Sequence, residues 1–475
     1  MPSLPLRLRP SAADLAAGFD RIRVELQIPG PFPAAVEREA GASADRASAG
    51  RADRRDIALI TIDPEGSRDL DQALAISSLG EGHRVHYAIA DVAALVAPGG
   101  SVDAEAHARG VTIYMPDRRA PLHPEVLGEG AACLLPEVDR PALLWTIDLD
   151  GHGDPTDVHL ERATVRSRAA LSYTEAQAAI EAGTGDPSLR LLREVGLRRL
   201  AREAERGGVS LSVPVQEVVR EGDGYDLRYE RPLAVEDWNA QISLLTGIAA
   251  ATIMAREGLG LFRVLAPAEP RDLEALRHSA LALGVTWPAG MAYGDVVRGL
   301  DGTRPGDLAF SVRATRLFHG AGYTVWRREG GEEPPIHAAI ASLYAHVTAP
   351  LRRLADRFAN EIVLAQCAAV APPRWVLDGL DAIPGIMAET GSRERRAERA
   401  AVDVVECALL QGRIGERFPA VVVDVRDGRA TVQIAEPAVV APLEGDDVTA
   451  GQELTVVLSE VDGEERRVRF APATA

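Results

Sequence analysis

TIDPEGSRDLDQAL, residues 61–74, brings three carboxylates, Asp63, Asp69 and Asp71, within nine residues around a turn containing Pro64 and Gly66. The run before it, IALITI at 57–62, is rich in β-branched residues and predicts a strand that ends at the acidic turn. Short carboxylates at the end of a strand are able to converge, and a hard cation such as Mg²⁺ wants several carboxylate oxygens. Phosphoryl-transfer sites use such groups to hold ions on the scissile phosphate. On spacing alone a solvated acidic turn competes with this reading. A calcium loop of the EF-hand type is a poor fit, because its Gly and terminal Glu are missing.

Outward from that turn, VHYAIADVAALV at 85–96 gives a second strand-like run, and a strand-and-loop texture continues to Tyr173. Apolar residues then recur at three-to-four spacing in TEAQAAIEAG, SLRLLREVGLRRLAREAERGG and VEDWNAQISLLTGIAAATIMAREG, which predicts helices closed by glycine. RDLEALRHSALALG predicts another. A helix is expected from Leu351 onward, after Pro350, with Arg352 or Arg353 in its first turn. His337 and His346 flank a further helix expected over AAIASLY and read as structural or phosphate-contacting side chains rather than metal ligands. After an amphipathic connecting helix, the last ~60 residues form five strand-like runs with turns at Asp427–Gly428 and Asp462–Gly463, which suits a small OB-type barrel.

At 475 residues with 46% hydrophobic and 26% charged side chains, the chain has the composition of a globular protein of two to three domains. No apolar run approaches the ~18 residues of a membrane span, and the first residues lack the apolar core of a signal peptide, so a cytoplasmic protein without membrane contact is expected. Three scattered cysteines, Cys133, Cys367 and Cys407, read as buried thiols. The net charge of −18 argues against a nucleic-acid coat protein but leaves room for a local basic channel. Every cation is arginine, whose planar fork suits phosphate.

TIDPEGSRDLDQAL, then YAIADVAALVAPGGSVDAEAHARGVTIYMPDRRAPLHPEVL, then YAHVTAPLRRLADRFANE and the terminal barrel together resemble, in order, the RNase II/RNase R (RNB) exoribonucleases. The resemblance implies an α+β catalytic domain, a mixed sheet with surrounding helices, followed by an all-β OB-type RNA-binding barrel. The expected segments are a lead-in at 1–56, a catalytic domain at 57–388, a connecting helix at 389–411 and the barrel at 412–475. It implies a hydrolytic exoribonuclease that shortens single-stranded RNA from the 3′ end to nucleoside 5′-monophosphates, using Mg²⁺ with Mn²⁺ as a substitute.

Carried over by position, Asp63, Asp69 and Asp71 would bind metal and ready the attacking water, with Asp71, Asp69 and Arg352 at the centre of catalysis. Arg352 would contact the scissile phosphate with Arg353 beside it, and Tyr114 and Tyr173 would lie against the RNA 3′ end. Two positions depart from the family pattern. Its fourth carboxylate falls at Gln72, which stays in the expected metal set as a neutral ligand, and its ribose-recognising acid falls at Gln241. The N-terminal segment is also too short for the family's two leading cold-shock-like domains. Gln72 keeps a second class open, a catalytically silent RNA-binding protein. A third, a Mg²⁺-dependent phosphohydrolase of small molecules, is disfavoured by the barrel, whose Arg413, Arg417, Arg426, Arg429, Arg466, Arg467 and Arg469 are expected to clamp RNA.

Overall fold

The computed structural model describes residues 10–473 apart from 211–214, 302–303, 319, 427 and 446–447. The expected strand before the acidic turn is Leu59–Asp63 (β2), buried along its length until Asp63 reaches the surface of the cleft. It belongs to a six-stranded sheet with Ala52–Asp53 (β1), Gln72–Leu79 (β3), Gly82–Ala90 (β4), Asp139–Leu149 (β5) and Pro155–Ser172 (β6), in the order β1-β6-β2-β3-β4-β5. The 18-residue β6 explains how the sheet turns back on itself. Its first part pairs antiparallel with β5, from Pro155 to Arg166, and its last part runs parallel to β2, ending at the pair Asp63↔Ser172. The acidic turn therefore leaves the sheet where β6 feeds the helix Tyr173–Ala182.

The helices predicted from periodicity are Tyr173–Ala182, Pro187–Glu205, Ala234–Glu257 and Pro270–Ala282. The stretch after residue 330 differs. Instead of a helix over AAIASLY there is a turn pinned by the bridge between His337 and Ser342, with Ala341 at a φ of 53°, which interrupts any helix. His346 shares a 2.6 Å hydrogen bond with the Tyr323 hydroxyl, and Tyr344 meets both histidines edge-on, so the two rings are structural. The next helix is Leu354–Cys367, starting three residues later than expected. Asp356 sets that start: its carboxylate accepts from the Ala349 N–H at 2.7 Å and from both forks of Arg353, holding residues 349–353 as a turn.

The expected lead-in is packed structure. Ser11 caps the helix Ala12–Glu25, which buries Leu15, Phe19 and Ile22, and Gly18 lies so close to Val404 that a Cβ there would be 2.8 Å from Val404 Cγ1. Arg51 and Arg162 both pair with Asp91, a fully buried carboxylate, at 2.8 Å. The connecting helix is likewise longer than expected, Ile383–Leu410, and its apolar face packs into the main core.

Beyond it, Arg417–Arg426, Arg429–Ile434, Val439–Leu443, Glu453–Asp462 and Arg467–Pro472 close into a barrel around Phe418, Val422, Val432, Leu458 and Phe470. Of its two expected turns, Asp427 lies outside the described residues, while Asp462 accepts the N–H groups of Glu464 and Glu465. The barrel arginines are less free than the sequence suggests. Arg413, Arg466, Arg467 and Arg469 are ion-paired to Glu416, Glu25, Glu460 and Glu460, and Arg426 lies 3.8 Å from Asp424.

Candidate active site

A cleft of about 840 Å³ opens over the acidic turn, and it brings together residues far apart in the chain: Asp63, Asp69 and Gln72, Tyr114, Tyr173, and Arg352 and Arg353. The turn is fixed from below by Cys133. Its thiol accepts the Leu70 N–H at 3.1 Å and donates to the Arg68 carbonyl at 3.2 Å, while the Ala90 N–H binds the Asp71 carbonyl. This thiol is a structural anchor that a lone cysteine in the sequence does not announce.

Asp71 is 2% exposed and accepts the Leu351 N–H at 2.7 Å through Oδ1. Its Oδ2 lies 3.3 Å from Nε of Arg352 but accepts no hydrogen bond. Burial pushes the Asp71 carboxyl up to about 8 against the opposing pull of Arg352, and burial likewise pushes Asp63 up to about 6. Asp63 Oδ2 is also buried without a donor. Two buried carboxylate oxygens without donors, one on Asp63, which lines the cleft, and one on Asp71, which pairs with the cleft-lining Arg352, are an environment that a hard divalent cation satisfies. Asp63 and Asp71 therefore fit such an ion.

Asp69 and Gln72 are placed differently. Asp69 accepts from the Tyr114 hydroxyl at 2.8 Å and from Arg119 Nη1 at 2.7 Å, so both of its oxygens are engaged. Arg119 also binds Glu129. The Gln72 amide oxygen accepts from the Tyr87 hydroxyl and from Ser243 at 3.2 Å, which uses its two lone pairs and takes it out of the expected metal set. Among the described residues no group of three or more His, Cys, Asp or Glu side chains is already gathered as a cation cage.

Two further expectations change. Gln241 is 2% exposed and donates to Glu203 at 2.7 Å, outside the cleft. On its helix the cleft face is formed by Glu236, Asn239, Ala240, Ser243 and Leu244, the three-to-four spacing from which 241 is excluded. Arg353 lines the cleft, but its guanidinium is committed to Asp356 by hydrogen bonds of 2.9 and 2.8 Å, so it braces the turn rather than reaching for a ligand. Tyr114 is 46% exposed, with its hydroxyl on Asp69 and its ring available for stacking. Tyr173 stands at the start of its helix and also lines the cleft.

The sequence profile of the RNB domain matches residues 51–367, the part that holds the acidic turn and the Arg352 turn. The chain belongs to the RNB family. A second profile, that of the RNase II-type exonuclease C-terminal S1 domain, matches residues 416–473 of the barrel. Ribonuclease R of Vibrio cholerae is 27% identical over 448 residues, covering 86% of this chain and 53% of that protein, so the chain spans about half the length of the curated relatives it matches. Among solved structures, Mycoplasma genitalium RNase R in complex with ribose-methylated single-stranded RNA gives a TM-score of 0.87 at 21% identity, covering 97% of this chain and 78% of the other. Yeast Ssd1, a pseudonuclease, gives 0.72 at 16% identity, covering 95% of this chain and 57% of the other. At these identities the two structures establish a shared RNB fold and barrel.

Proposed function

We propose that this RNB-family chain is a cytoplasmic hydrolytic exoribonuclease that shortens single-stranded RNA from its 3′ end to nucleoside 5′-monophosphates, with Mg²⁺ as its cation and Mn²⁺ able to replace it. The observation that carries the reading is the pair of buried carboxylates, Asp63 and Asp71, each with an oxygen lacking a donor: Asp63 lines the arginine- and tyrosine-lined cleft, and Asp71 lies 3.3 Å from the Arg352 guanidinium, which lines it too. When bound, the cation supplies charge that lowers the pKa of a water and neutralises the phosphate. Asp63 and Asp71 hold that cation. Arg352 orients the phosphate and opposes the charge that develops on its oxygens, while Tyr114 and Tyr173 stack unpaired bases without sequence preference. Among the described residues no helix is long and apolar enough to cross a membrane.

The competing reading, a silent RNA binder, would rest on Gln72, which stands where the family carries a carboxylate and whose amide oxygen is taken by two hydroxyls. A 5′-labelled single-stranded oligoribonucleotide incubated with and without Mg²⁺ separates the two. The enzyme yields a ladder shrinking from the 3′ side only with Mg²⁺, and an intact oligonucleotide under both conditions sinks the proposal.

The carboxylates also set an expected pH dependence. Asp71 and Asp63 bind protons more tightly folded than unfolded. Their contribution to stability is therefore full below the ordinary carboxylate pKa near ~4 and is lost as pH rises through about 6 and then about 8. The cation-free unfolding temperature is expected to fall across that window. Stabilisation by Mg²⁺ is expected to grow across it, as the ion displaces protons. Calorimetry with and without a chelator checks both. A Mg²⁺ stabilisation independent of pH contradicts the assignment of these carboxylates.

A further inference from the structure

We infer that Arg119 is a latch on the acidic site: it withholds Asp69 from the cation in the free protein and releases it to an RNA phosphate, so that cation and RNA binding reinforce each other. The inference rests on the proposed function. Its first ground is the division of the acidic trio. Asp63 and Asp71 each present a buried oxygen without a donor, whereas both oxygens of Asp69 are taken, by Arg119 Nη1 at 2.7 Å and the Tyr114 hydroxyl at 2.8 Å. A guanidinium and a divalent cation on the same carboxylate repel each other, so Arg119 competes directly with the ion.

The second ground is that Arg119 has somewhere to go. Its other terminal nitrogen already binds Glu129, whose second oxygen is ion-paired to Nε of Arg68 at 2.7 Å. Arg119 can leave Asp69 without becoming an unpaired half-buried charge, because Glu129 keeps hold of it. The third ground is the cleft itself, which Arg68, Arg118, Arg119 and Arg352 all line. A phosphate oxyanion is the ligand that a guanidinium fork accepts in place of a carboxylate. An RNA phosphate that draws Arg119 away frees an oxygen of Asp69 beside the two unpaired ones. By linkage, whatever factor RNA adds to cation affinity, the cation adds to RNA affinity.

Mn²⁺ binding to the full chain, followed by electron paramagnetic resonance at fixed pH and ionic strength, tests this without reference to turnover. A ribose-methylated single-stranded oligonucleotide serves as the phosphate ligand. In the wild type its addition is expected to tighten Mn²⁺ binding about tenfold. Arg119→Ala is expected to show the tight binding already in the absence of the oligonucleotide, with little further gain on adding it. Glu129→Gln is expected to do the opposite in the free protein: without its alternative anchor Arg119 clings to Asp69, and Mn²⁺ binds more weakly than in the wild type. A general loosening of the site would move both variants in one direction, and if Arg119→Ala does not fold, the sign of the Glu129→Gln shift still decides. Unchanged Mn²⁺ affinity in both variants, or full RNA coupling retained in Arg119→Ala, overturns the latch. Mn²⁺ binding abolished by Asp71→Asn but unmoved by Arg119→Ala overturns the latch alone. An absence of saturable Mn²⁺ binding in the wild type overturns the proposed function with it.

Discussion

Asp71→Asn is expected to lower the single-turnover rate of RNA hydrolysis about a thousandfold while leaving RNA affinity measured without divalent cation nearly unchanged. The substitution is close to isosteric. The amide oxygen of asparagine can keep the 2.7 Å hydrogen bond from the Leu351 N–H, and the backbone link from Ala90 is untouched, so the acidic turn keeps its place. What disappears is a negative charge on a 2% exposed side chain, one of the two acidic-turn carboxylates with a buried oxygen that lacks a donor. The loss therefore falls on cation binding and water activation rather than on the arginines and tyrosines that face RNA. A second consequence follows from burial. The variant no longer carries a carboxyl whose ionisation opposes folding, so the cation-free fall in unfolding temperature with rising pH should shrink. Rapid-quench assays with 5′-labelled RNA measure the rate, and fluorescence anisotropy measures affinity. A wild-type rate in Asp71→Asn removes this carboxylate from the chemistry.

The features that were legible in the sequence are those written within a single loop or a single helix. TIDPEGSRDLDQAL carries its own strand, turn and carboxylates, the barrel carries its own strand pattern, and the long helices carry their own periodicity. The misplaced residues depend on partners elsewhere. Gln241 sits on a correctly read helix, but which of its faces meets the cleft is decided by the packing of Ala234–Glu257 against the other elements, and that puts Asn239 and Ser243 there instead. Arg353 looks as free as Arg352 until Asp356, three residues on, takes both of its forks.

The N-terminal segment reads only as a lead-in, because the helix Val404 belongs to, against which it packs, is far along the chain. Arg119 and Asp69 are 50 residues apart, and Leu351 and Asp71 are 280 apart, so neither contact has a local signature. Nothing in the sequence points to Arg119, Cys133, Tyr87 or Ser243 as partners of the site. Gln72 is the instructive intermediate case. Its departure from the family's carboxylate was visible, but the two hydroxyls that occupy its oxygen were not.

Arg352→Lys is expected to cost about a hundredfold in the rate at saturating RNA with little change in half-saturation. Lysine keeps a positive charge opposite the buried Asp71, which Arg352 approaches to 3.3 Å, and the backbone around it is held independently by the Thr112 N–H to the Arg352 carbonyl at 3.0 Å. Lysine keeps the charge that attracts a polyanion but offers a single ammonium where arginine offers a planar fork, so its deficit should appear when the phosphate charge must be matched in direction as well as sign. The double variant makes the argument sharper. If Arg352 and Asp71 act on the same phosphate, their effects are not independent: Arg352→Lys in the Asp71→Asn background should cost far less than a hundredfold. Equal single-turnover rates for Arg352→Lys and wild type exclude a transition-state role for the fork. Full additivity in the double variant would separate the two residues into unconnected functions despite their 3.3 Å approach.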